Sequence, residues 1–566
     1  MKSTKKVLSA VFALCMLLTM ASCGGNAGSD SADPSTPGEN QSASADAENS
    51  APDAANVNPK GIFPIVKSPT TLEIALAQNP KVLDYDTNEF TTFLEEKTGI
   101  DLQFTLLPAK DTASKINLMF ASNDLPEVFL GSTMLPDAMV LDYGTQGMIL
   151  PLNSLIDTYG DEINRMFNEA MDKNMKNSIT FADGNIYALP KLSELTSNTY
   201  ASRMWVYKPW MDALNLEVPE TTDAFADMLT AFKSMDPNGN GKADEIPLIG
   251  FKATTDTEIA TFLINAFIYY NGTNGFTVTD GKVDVAYTKP EFKDALAYLN
   301  ELCKEGLLDP MSFTQDLQQM KTLVNQDVPV IGAFSSSVAK SNLMDVTSQR
   351  SKDYVLIPPL TGPNGAQYTV ITPNVPANAY VITKDCKSPA AAYRLADFMY
   401  SEESTMRGRY GIEGRDWVKP TDGELGNTGK PAYMKLLTDV WGQTTHNVHW
   451  QNPNPSFLPQ EIMDGQTWNG DPYEYNYYAT KFVLDYYVGK EPKEYLPSRL
   501  NMPLDEMDEY NQLLSTITAY VNENMTRFII GDQSLEQWET YLGEFDKMDL
   551  DRLISITQEA YDRSVQ

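Results

Sequence analysis

Histidine and cysteine are scarce in this chain: its 566 residues include two histidines and four cysteines. Both histidines lie in "THNVHWQ" with no third ligand type nearby, so the sequence gives no support for a catalytic zinc site. G-x-S-x-G, Walker and G-x-G-x-x-G motifs are absent, and "SVAK" (337–340) lacks the SDN and KTG partners of penicillin-binding enzymes. No particular carboxylate pair is marked for glycoside hydrolysis, although so acidic a chain leaves that enzyme class open.

Positive charge is also in short supply. The chain has 43 Lys and Arg against 76 Asp and Glu, a formal net charge of −33. Such a surface repels a phosphate backbone, which argues against nucleic acid as a partner but leaves room for an anion in a locally basic cleft. A chain of 566 residues is too long for one hydrophobic core, so we expect two or more domains.

The first residues form an export signal. Three lysines among the first six residues precede an apolar run, 7–20, which is too short to span a bilayer as a helix. Met20-Ala21-Ser22-Cys23 then matches the lipobox of bacterial lipoproteins, which predicts diacylglycerol on the Cys23 thiol and cleavage before it. A plain secretory signal cut at the same place is the alternative. We therefore predict a signal peptide, 1–22, and a protein anchored by lipid to the extracellular face of the cell membrane.

Residues 23–65 are predicted to form a disordered tether. The stretch is dominated by small and polar residues, so it buries too little apolar surface to offset its chain entropy. A coil of about 40 residues reaches roughly 35 Å, which suits a tether that holds a domain off a membrane. No later segment approaches a transmembrane length. Beyond the leader, Cys303 and Cys386 can pair only if the fold brings them together.

Strand and helix patterns alternate after the tether. The predicted elements are a strand at Leu72–Ala77, a helix at Asn88–Lys97, a strand at Leu102–Leu107, a helix at Asp111–Ser122 and a strand at Glu127–Leu130. This order predicts a mostly parallel sheet flanked by helices. Later strands are predicted in "SRMWVYKPW", at Val328–Phe334, in "YVLIPPL" and in "AYVITKD". The fold class is therefore α/β, either as two lobes with crossing strands or as two independent domains.

The stretch "MDPNGNGKADEIP" (235–247) concentrates oxygen ligands in a tight turn. Its residues occupy positions 1, 3, 5 and 7 of an EF-hand-like loop, but Pro247 stands where the usual glutamate at position 12 would be. Hard oxygen donors without sulfur or imidazole select Ca²⁺ over zinc, and the ion would be structural. The alternative is an Asx-turn loop without an ion. The predicted calcium ligands are Asp236, Asn238, Asn240, the Lys242 carbonyl, Asp244 and Glu245.

Aromatic residues are predicted to make the main contacts with a ligand. Sugars present C–H faces that stack on flat rings and hydroxyls that need fixed polar partners. Tryptophans crowd into the region after residue 410, among Asn, Gln and Gly, whereas Trp205 and Trp210 are expected in a core. The predicted ligand-binding residues are Trp417, Trp441, Trp450 and Trp468, with Phe334 and Ser336 at a loop on the cleft edge.

A set of longer motifs occurs in a fixed order along the chain: "FASNDLPEVFLGS", "DGNIYALP", "SPAAAYRLADFMYSEES" and "RYGIEGRDW". Together with the lipobox and tether, they resemble the family 1 extracellular solute-binding lipoproteins of Gram-positive carbohydrate importers. The similarity covers nearly everything after the tether. The oxygen-rich loop, with its carboxylates placed early at Asp244 and Glu245, resembles the calcium loop of the alginate-binding proteins.

The resemblance implies a periplasmic-binding-protein-like fold of two α/β lobes joined by a multi-strand hinge. By the family's pattern, the N-terminal lobe takes 66–193 and 372–440, and the C-terminal lobe 194–371 and 441–566. It also implies a monomeric binder that is not an enzyme, captures an oligosaccharide and delivers it to the permease subunits of an ABC transporter. A binder of peptides or other nutrients, and an anchored glycan-cleaving enzyme, are the alternatives.

Overall fold

A computed structural model describes residues 52–132, 134–252, 259–336, 343–345, 347–372, 377–438 and 445–565. Within these residues, strands β1 to β14 span, in order, Thr70–Ala77, Ile100–Leu107, Val128–Leu130, Leu189–Ser193, Met204–Tyr207, Ile246–Leu248, Phe276–Thr279, Lys282–Val285, Ile331–Ser335, Tyr354–Leu356, Ala377–Ile382, Trp417–Val418, Lys435–Leu436 and Ser456–Leu458.

Helices α1 to α20 of the described residues follow the same chain order. They span Glu89–Thr98, Thr112–Ser122, Asp137–Thr145, Asn153–Tyr159, Glu162–Glu169, Met175–Ser178, Thr196–Thr199, Lys208–Leu214, Thr222–Ser234, Ile259–Ile264, Pro290–Lys304, Leu317–Val324, Gln349–Asp353, Pro389–Met399, Glu402–Tyr410, Gln460–Asp464, Tyr475–Tyr486, Leu504–Ile530, Trp538–Gly543 and Leu550–Val565. Short 3-10 helices lie at Ala286–Thr288, Pro310–Phe313, Leu535–Gln537 and Phe545–Met548.

Strands β1 to β4 and the later strands β11 and β14 form a six-stranded sheet in the order β14-β4-β11-β3-β1-β2. β1 pairs in parallel with β2 and β3, which confirms the parallel β-α-β-α-β start. α1 begins where the Asn88 side chain accepts a hydrogen bond from the Phe90 N–H, and it ends at Gly99, whose φ of +76° favours glycine. β11, which follows much later in sequence, lies antiparallel between β3 and β4.

A second, four-stranded sheet has the order β10-β5-β9-β6. β5 and β9 are the strands predicted in "SRMWVYKPW" and at Val328–Phe334, and they pair antiparallel with Met204 opposite Ser335. The chain passes from β4 of the first sheet to β5 of the second, and from β10 back to β11. These crossings confirm an α/β fold whose two sheets are linked by more than one strand connection.

Each sheet has its own hydrophobic core. The first core is the buried cluster around the six-stranded sheet, which includes Leu72, Phe90 and Tyr380. The second core surrounds the four-stranded sheet and takes in Trp205 and Trp210, both predicted as core residues, together with residues of the C-terminal helices. An ion pair joins the two parts, because the Arg499 guanidinium donates to both carboxylate oxygens of Asp137 in α3 at 2.6 and 2.7 Å, and the next residue, Leu500, packs against the second core.

Two predicted boundaries are wrong. The end of the predicted tether, 52–65, is folded: Val57 and Ile65 are buried in the first core, and the Asp53 carboxylate accepts hydrogen bonds from the first N–H groups of α14. The second lobe was predicted to begin at 441, but described residues 445–458 still belong with the first sheet, since β14 pairs with β4. The division into two lobes otherwise stays a prediction.

Cys303 and Cys386 are both free thiols. Cys303 lies in α11 beside the second core, and Cys386 is buried in the first core, so the fold keeps them apart. Among the described residues, none of the helices is both long and apolar enough to cross a membrane.

Candidate functional site

Trp450, predicted as a sugar platform, is a core residue. It is fully buried, with its ring set edge-on against Phe90 at 4.9 Å and Phe104 at 5.4 Å between ring centroids. Its indole N–H donates to the Thr91 hydroxyl at 2.8 Å. The ring is enclosed by the protein and its N–H is already bonded, so no surface of it is left for a ligand. The prediction of Trp450 as a ligand-binding residue is wrong for this reason.

Phe334 and Trp417 are also buried. Phe334 lies on β9 in the second core, with its ring against Tyr354 at 4.9 Å. Trp417 is 5% exposed in a small third cluster, where the Lys419 ammonium lies over the ring at 5.4 Å. Burial argues against either ring as a stacking surface for a sugar. Trp441 lies outside the described residues.

Ser336 stands at the end of β9, directly opposite Arg203. Its backbone N–H donates to the Arg203 carbonyl at 2.9 Å, and its own carbonyl accepts from the Trp205 indole at 2.9 Å. Within the described part of the chain its buried hydroxyl has no hydrogen-bond partner. Ser336 therefore stays a candidate polar contact, at the strand end where ligands of open α/β sheets bind.

Trp417 and Trp468 each border an open cavity, but only Trp468 is half-buried, whereas Trp417 is buried. One face of the Trp468 indole stacks on Tyr477, with ring centroids 4.1 Å apart and planes within 13°. Its N–H donates to the Asp471 carbonyl at 2.7 Å, which fixes the ring in place. The cavity it borders has a volume of about 520 Å³. A pre-positioned indole with a free face is the kind of surface on which a sugar ring stacks.

The other walls of this cavity, which we call the Trp468 cavity, are polar. Amide, hydroxyl and charged side chains surround the indole, and they come from the strand segment around β13, the loop before α17 and the start of α17. The lining residues are Glu424, Asn427, Lys435, Leu436, Gln466, Thr467, Trp468, Asn469, Glu474 and Asn476. Sequence reasoning found only Trp468 in this set, although it noted that Asn and Gln surround the tryptophans.

The loop that carries Trp468 is held from two sides. On one side, the backbone N–H of Trp468 donates to the Leu425 carbonyl and the backbone N–H of Thr467 to the Met434 carbonyl, both at 2.8 Å. On the other, Asp471 pairs at 2.6 Å with Lys352 of α13, the helix that leads into β10 of the second sheet. The cavity wall is thus fixed both to the segment around β13 and to the four-stranded sheet.

The side chains of the oxygen-rich loop after α9 are hydrogen-bonded to one another and to the loop backbone. The Asp236 carboxylate accepts from the backbone N–H groups of Asn240 and Gly241 at 3.2 and 3.0 Å. The amide nitrogens of Asn238 and Asn240 both donate to Asp244, at 3.0 Å. The amide oxygens of Asn238 and Asn240 instead accept from the backbone N–H groups of Asn240 and Lys242, at 3.0 and 2.8 Å, so both amides would have to turn to bind an ion beside Asp244.

Two further features fit a cation in this loop. One carboxylate oxygen of Glu245 is buried and has no hydrogen-bond partner among the described residues. Burial, with the negative charges of Asp236 and Asp244, raises the pKa of Glu245. A bound cation would offset both the burial and the repulsion. Asp236, Asp244 and Glu245 do not lie together as a three-carboxylate group among the described residues, so the predicted calcium ion would also need the amide and carbonyl oxygens of the loop.

Comparison with known proteins agrees with this architecture. The family described as bacterial extracellular solute-binding protein matches residues 76–406. The chain belongs to this family. The solute-binding protein is 25% identical over 525 residues to the fructooligosaccharide ABC transporter substrate-binding protein FusA of Streptococcus pneumoniae serotype 4, covering 88% of this chain and 91% of FusA. It is 24% identical to the polygalacturonan/rhamnogalacturonan-binding protein YtcQ of Bacillus subtilis, over 48% of this chain and 52% of YtcQ.

Solved structures of related proteins have the same fold. An extracellular solute-binding protein of Bifidobacterium longum subsp. infantis aligns with a TM-score of 0.73 at 20% identity, over 88% of this chain and 99% of its own. FusA of S. pneumoniae in complex with kestose aligns with a TM-score of 0.69 at 24% identity, over 87% of this chain and 99% of its own. The alginate-binding protein AlgQ2, solved without calcium ion, aligns with a TM-score of 0.61 at 21% identity, over 89% of this chain and 100% of its own. They confirm the predicted periplasmic-binding-protein-like fold.

The two histidines of the solute-binding protein pack against each other, with ring centroids 4.4 Å apart. Burial, and then the neighbouring His446, lower the pKa of His449 to about 3, and the His449 Nδ1 accepts from the Gln451 N–H at 3.2 Å. Among the described residues, no group of three or more His, Cys, Asp or Glu side chains is placed to hold a metal ion. His449 is thus a neutral, buried hydrogen-bond acceptor.

His449 should make the protein acid-sensitive. Below pH 6.5 the unfolded chain protonates this imidazole, whereas the folded chain, with a pKa of about 3, does not, so stability is lost as pH falls. The free energy of unfolding of wild type should therefore fall between pH 7 and pH 5. We expect the fall in His449→Gln to be smaller by about 2 kcal/mol. Urea unfolding of both proteins at the two pH values measures the difference. Parallel pH profiles would contradict the assignment.

Proposed function

We propose that this solute-binding protein captures an oligosaccharide outside the cell and delivers it to the permease subunits of an ABC importer. The observation that carries the proposal is the Trp468 cavity, where a fixed indole with one free face stands among amides, hydroxyls and carboxylates. Ring stacking supplies the apolar contact, and the polar walls satisfy sugar hydroxyls. The likeness to FusA over most of both chains supports a sugar as the solute.

In this function the protein binds and releases its solute, and no covalent bond is made or broken. Closure of two lobes around a ligand is a common motion of proteins with this fold, and the strand crossings between the two sheets provide its hinge. From the signal sequence and Cys23 we propose that the protein is anchored by lipid alone to the outer face of the cell membrane. We propose that it acts there as a monomer. Cys23 lies outside the described residues.

A direct binding measurement tests the proposal. Purified protein is titrated calorimetrically with a panel that contains fructo-, gluco- and manno-oligosaccharides and short peptides, and each mixture is then analysed by chromatography for shorter sugars. We expect micromolar or tighter binding of an oligosaccharide with no product. Binding of peptides alone would move the protein to another solute class, and release of shorter sugars would make it an enzyme.

We also propose that the loop after α9 binds a structural Ca²⁺ ion. Asp236, Asn238, Asn240, Asp244 and Glu245 would hold it through their side chains and Lys242 through its carbonyl. When bound, the ion neutralises the loop's carboxylates and ties the end of α9 to β6. The convergence of amides on Asp244 and the buried oxygen of Glu245 support this. A FusA EF-hand mutant and AlgQ2 without calcium ion are among the solved relatives, which adds support from the family.

Calcium removal should lower the melting temperature. An ion present at a hundred times its dissociation constant stabilises a fold by about 2.7 kcal/mol, so chelation should cost several degrees. Asp236 has a φ of +44°, where alanine would be strained with or without an ion, so Asp236→Asn is the better variant. We expect it to abolish the response to chelation. Asp280→Asn, at another aspartate with positive φ, is the control and should keep the response. A wild-type melting curve unaltered by chelation would refute the site.

A further inference from the structure

The Trp468 cavity holds no uncommitted positive charge among its described lining residues. Lys435 is the cation of the lining, and its ammonium lies 2.5 Å from one carboxylate oxygen of Glu424. The second oxygen of Glu424 accepts from the Thr421 N–H at 2.7 Å. The hydrogen bond from Lys435 and that from Thr421 lower the pKa of Glu424, so this carboxylate stays ionised and the charge of Lys435 is neutralised.

The second carboxylate of the lining, Glu474, occupies the one feature that would attract an anion. The N-terminus of α17 borders the cavity, and helix N-termini bind negative groups through their free N–H groups and dipole. Here Glu474 itself caps the helix by accepting from the Tyr477 N–H at 2.9 Å. Lys352, the cation nearby that holds the loop, is paired with Asp471. The described charges of the lining therefore sum to a negative value.

These charges decide which class of sugar the cavity accepts. A uronic acid residue carries a carboxylate, and moving it from water into the cavity costs desolvation free energy. Without a free cation in the lining, no ion pair offsets that cost. The net negative charge of the lining adds repulsion that reaches several ångströms at moderate ionic strength. Sugar hydroxyls, in contrast, find donors and acceptors in Asn427, Gln466 and Asn469.

We propose that this protein selects uncharged oligosaccharides and rejects polyuronates at the Trp468 cavity. The inference rests on the proposed function and adds to it the charge class of the solute. It separates this chain from relatives such as YtcQ and AlgQ2, whose names specify acidic glycans, although all share one fold.

The test is a matched pair of titrations. The neutral member is the best-binding trisaccharide of the neutral panel, and the acidic probe is trigalacturonate. In low salt we expect trigalacturonate to bind at least tenfold more weakly, and we expect the ratio to shrink in 1 M NaCl because salt screens the repulsion. Tighter binding of trigalacturonate would overturn the inference while leaving oligosaccharide capture intact. Binding of no glycan, neutral or acidic, would overturn the proposed function itself.

A charge variant locates the effect in the cavity. Glu424→Gln removes one negative charge and releases Lys435, so we expect the low-salt affinity ratio between the two sugars to fall at least threefold. Glu523→Gln makes the same change in net charge on α18, outside the cavity, at a side chain that is 69% exposed. It should leave the ratio unaltered. Equal shifts in both variants would mean that overall charge, and not the cavity, sets the preference, and would refute the assignment.

Discussion

Replacing Trp450 with alanine is expected to lower the free energy of unfolding by about 3–5 kcal/mol, the range found for large-to-small changes of buried aromatic residues. The ring fills the space between α1 and β2, against Phe90 and Phe104, and alanine would leave a cavity there. The change also removes the donor to the Thr91 hydroxyl, which in turn donates to the Tyr85 carbonyl at 2.6 Å. Both the lost packing and the lost hydrogen bond destabilise the first core.

Urea unfolding followed by circular dichroism measures this effect. Trp450→Phe keeps most of the volume but not the N–H, so it should fall between wild type and Trp450→Ala, and it remains informative if the alanine variant does not fold. In the variant that folds, sugar affinity should be close to that of wild type, because the ring does not border the Trp468 cavity. Full stability of Trp450→Ala would show that the ring is not packed as described.

Trp468→Ala is expected to act in the opposite way, with a large effect on binding and a small one on stability. The indole is half-buried and its free face borders the cavity, so its loss removes a stacking surface but little core packing. Truncation of an aromatic anchor typically costs about 1–3 kcal/mol, which corresponds to a roughly ten- to hundredfold weaker affinity.

Calorimetric titration of the best-binding oligosaccharide compares wild type, Trp468→Ala and Trp468→Phe. The phenylalanine variant keeps a flat ring without the N–H that holds the Asp471 carbonyl, so it should recover part of the affinity. Unchanged affinity in Trp468→Ala, with a folded protein, would move the ligand away from this cavity.

Features that depend on neighbouring residues were predictable from the sequence. The parallel start of the first sheet follows from strand and helix periods and from local caps such as Asn88 and Gly99. The oxygen-rich loop is similar, because the bonds of Asp236 to Asn240 and Gly241 span four and five residues. In both cases the interactions that fix the structure lie within the pattern itself.

Features that depend on distant partners were not predictable. Trp450 and Trp468 stand in similar surroundings of Asn, Gln and Gly, yet Trp450 is buried because its loop packs on Thr91, 359 residues earlier. The fate of the predicted tether is likewise decided by Asp53, which caps a helix that begins 336 residues later. No local composition encodes such pairings, so the site residues had to come from the fold.

A crystal structure of the protein with its best-binding oligosaccharide would test most directly whether sugars bind in the Trp468 cavity. It should show an intact sugar with one ring stacked on the free face of Trp468, its hydroxyls held by lining residues such as Gln466 and Asn469, and the Glu424–Lys435 pair unbroken. An oligosaccharide bound elsewhere with the Trp468 cavity empty, or a cleaved product in the site, would contradict it.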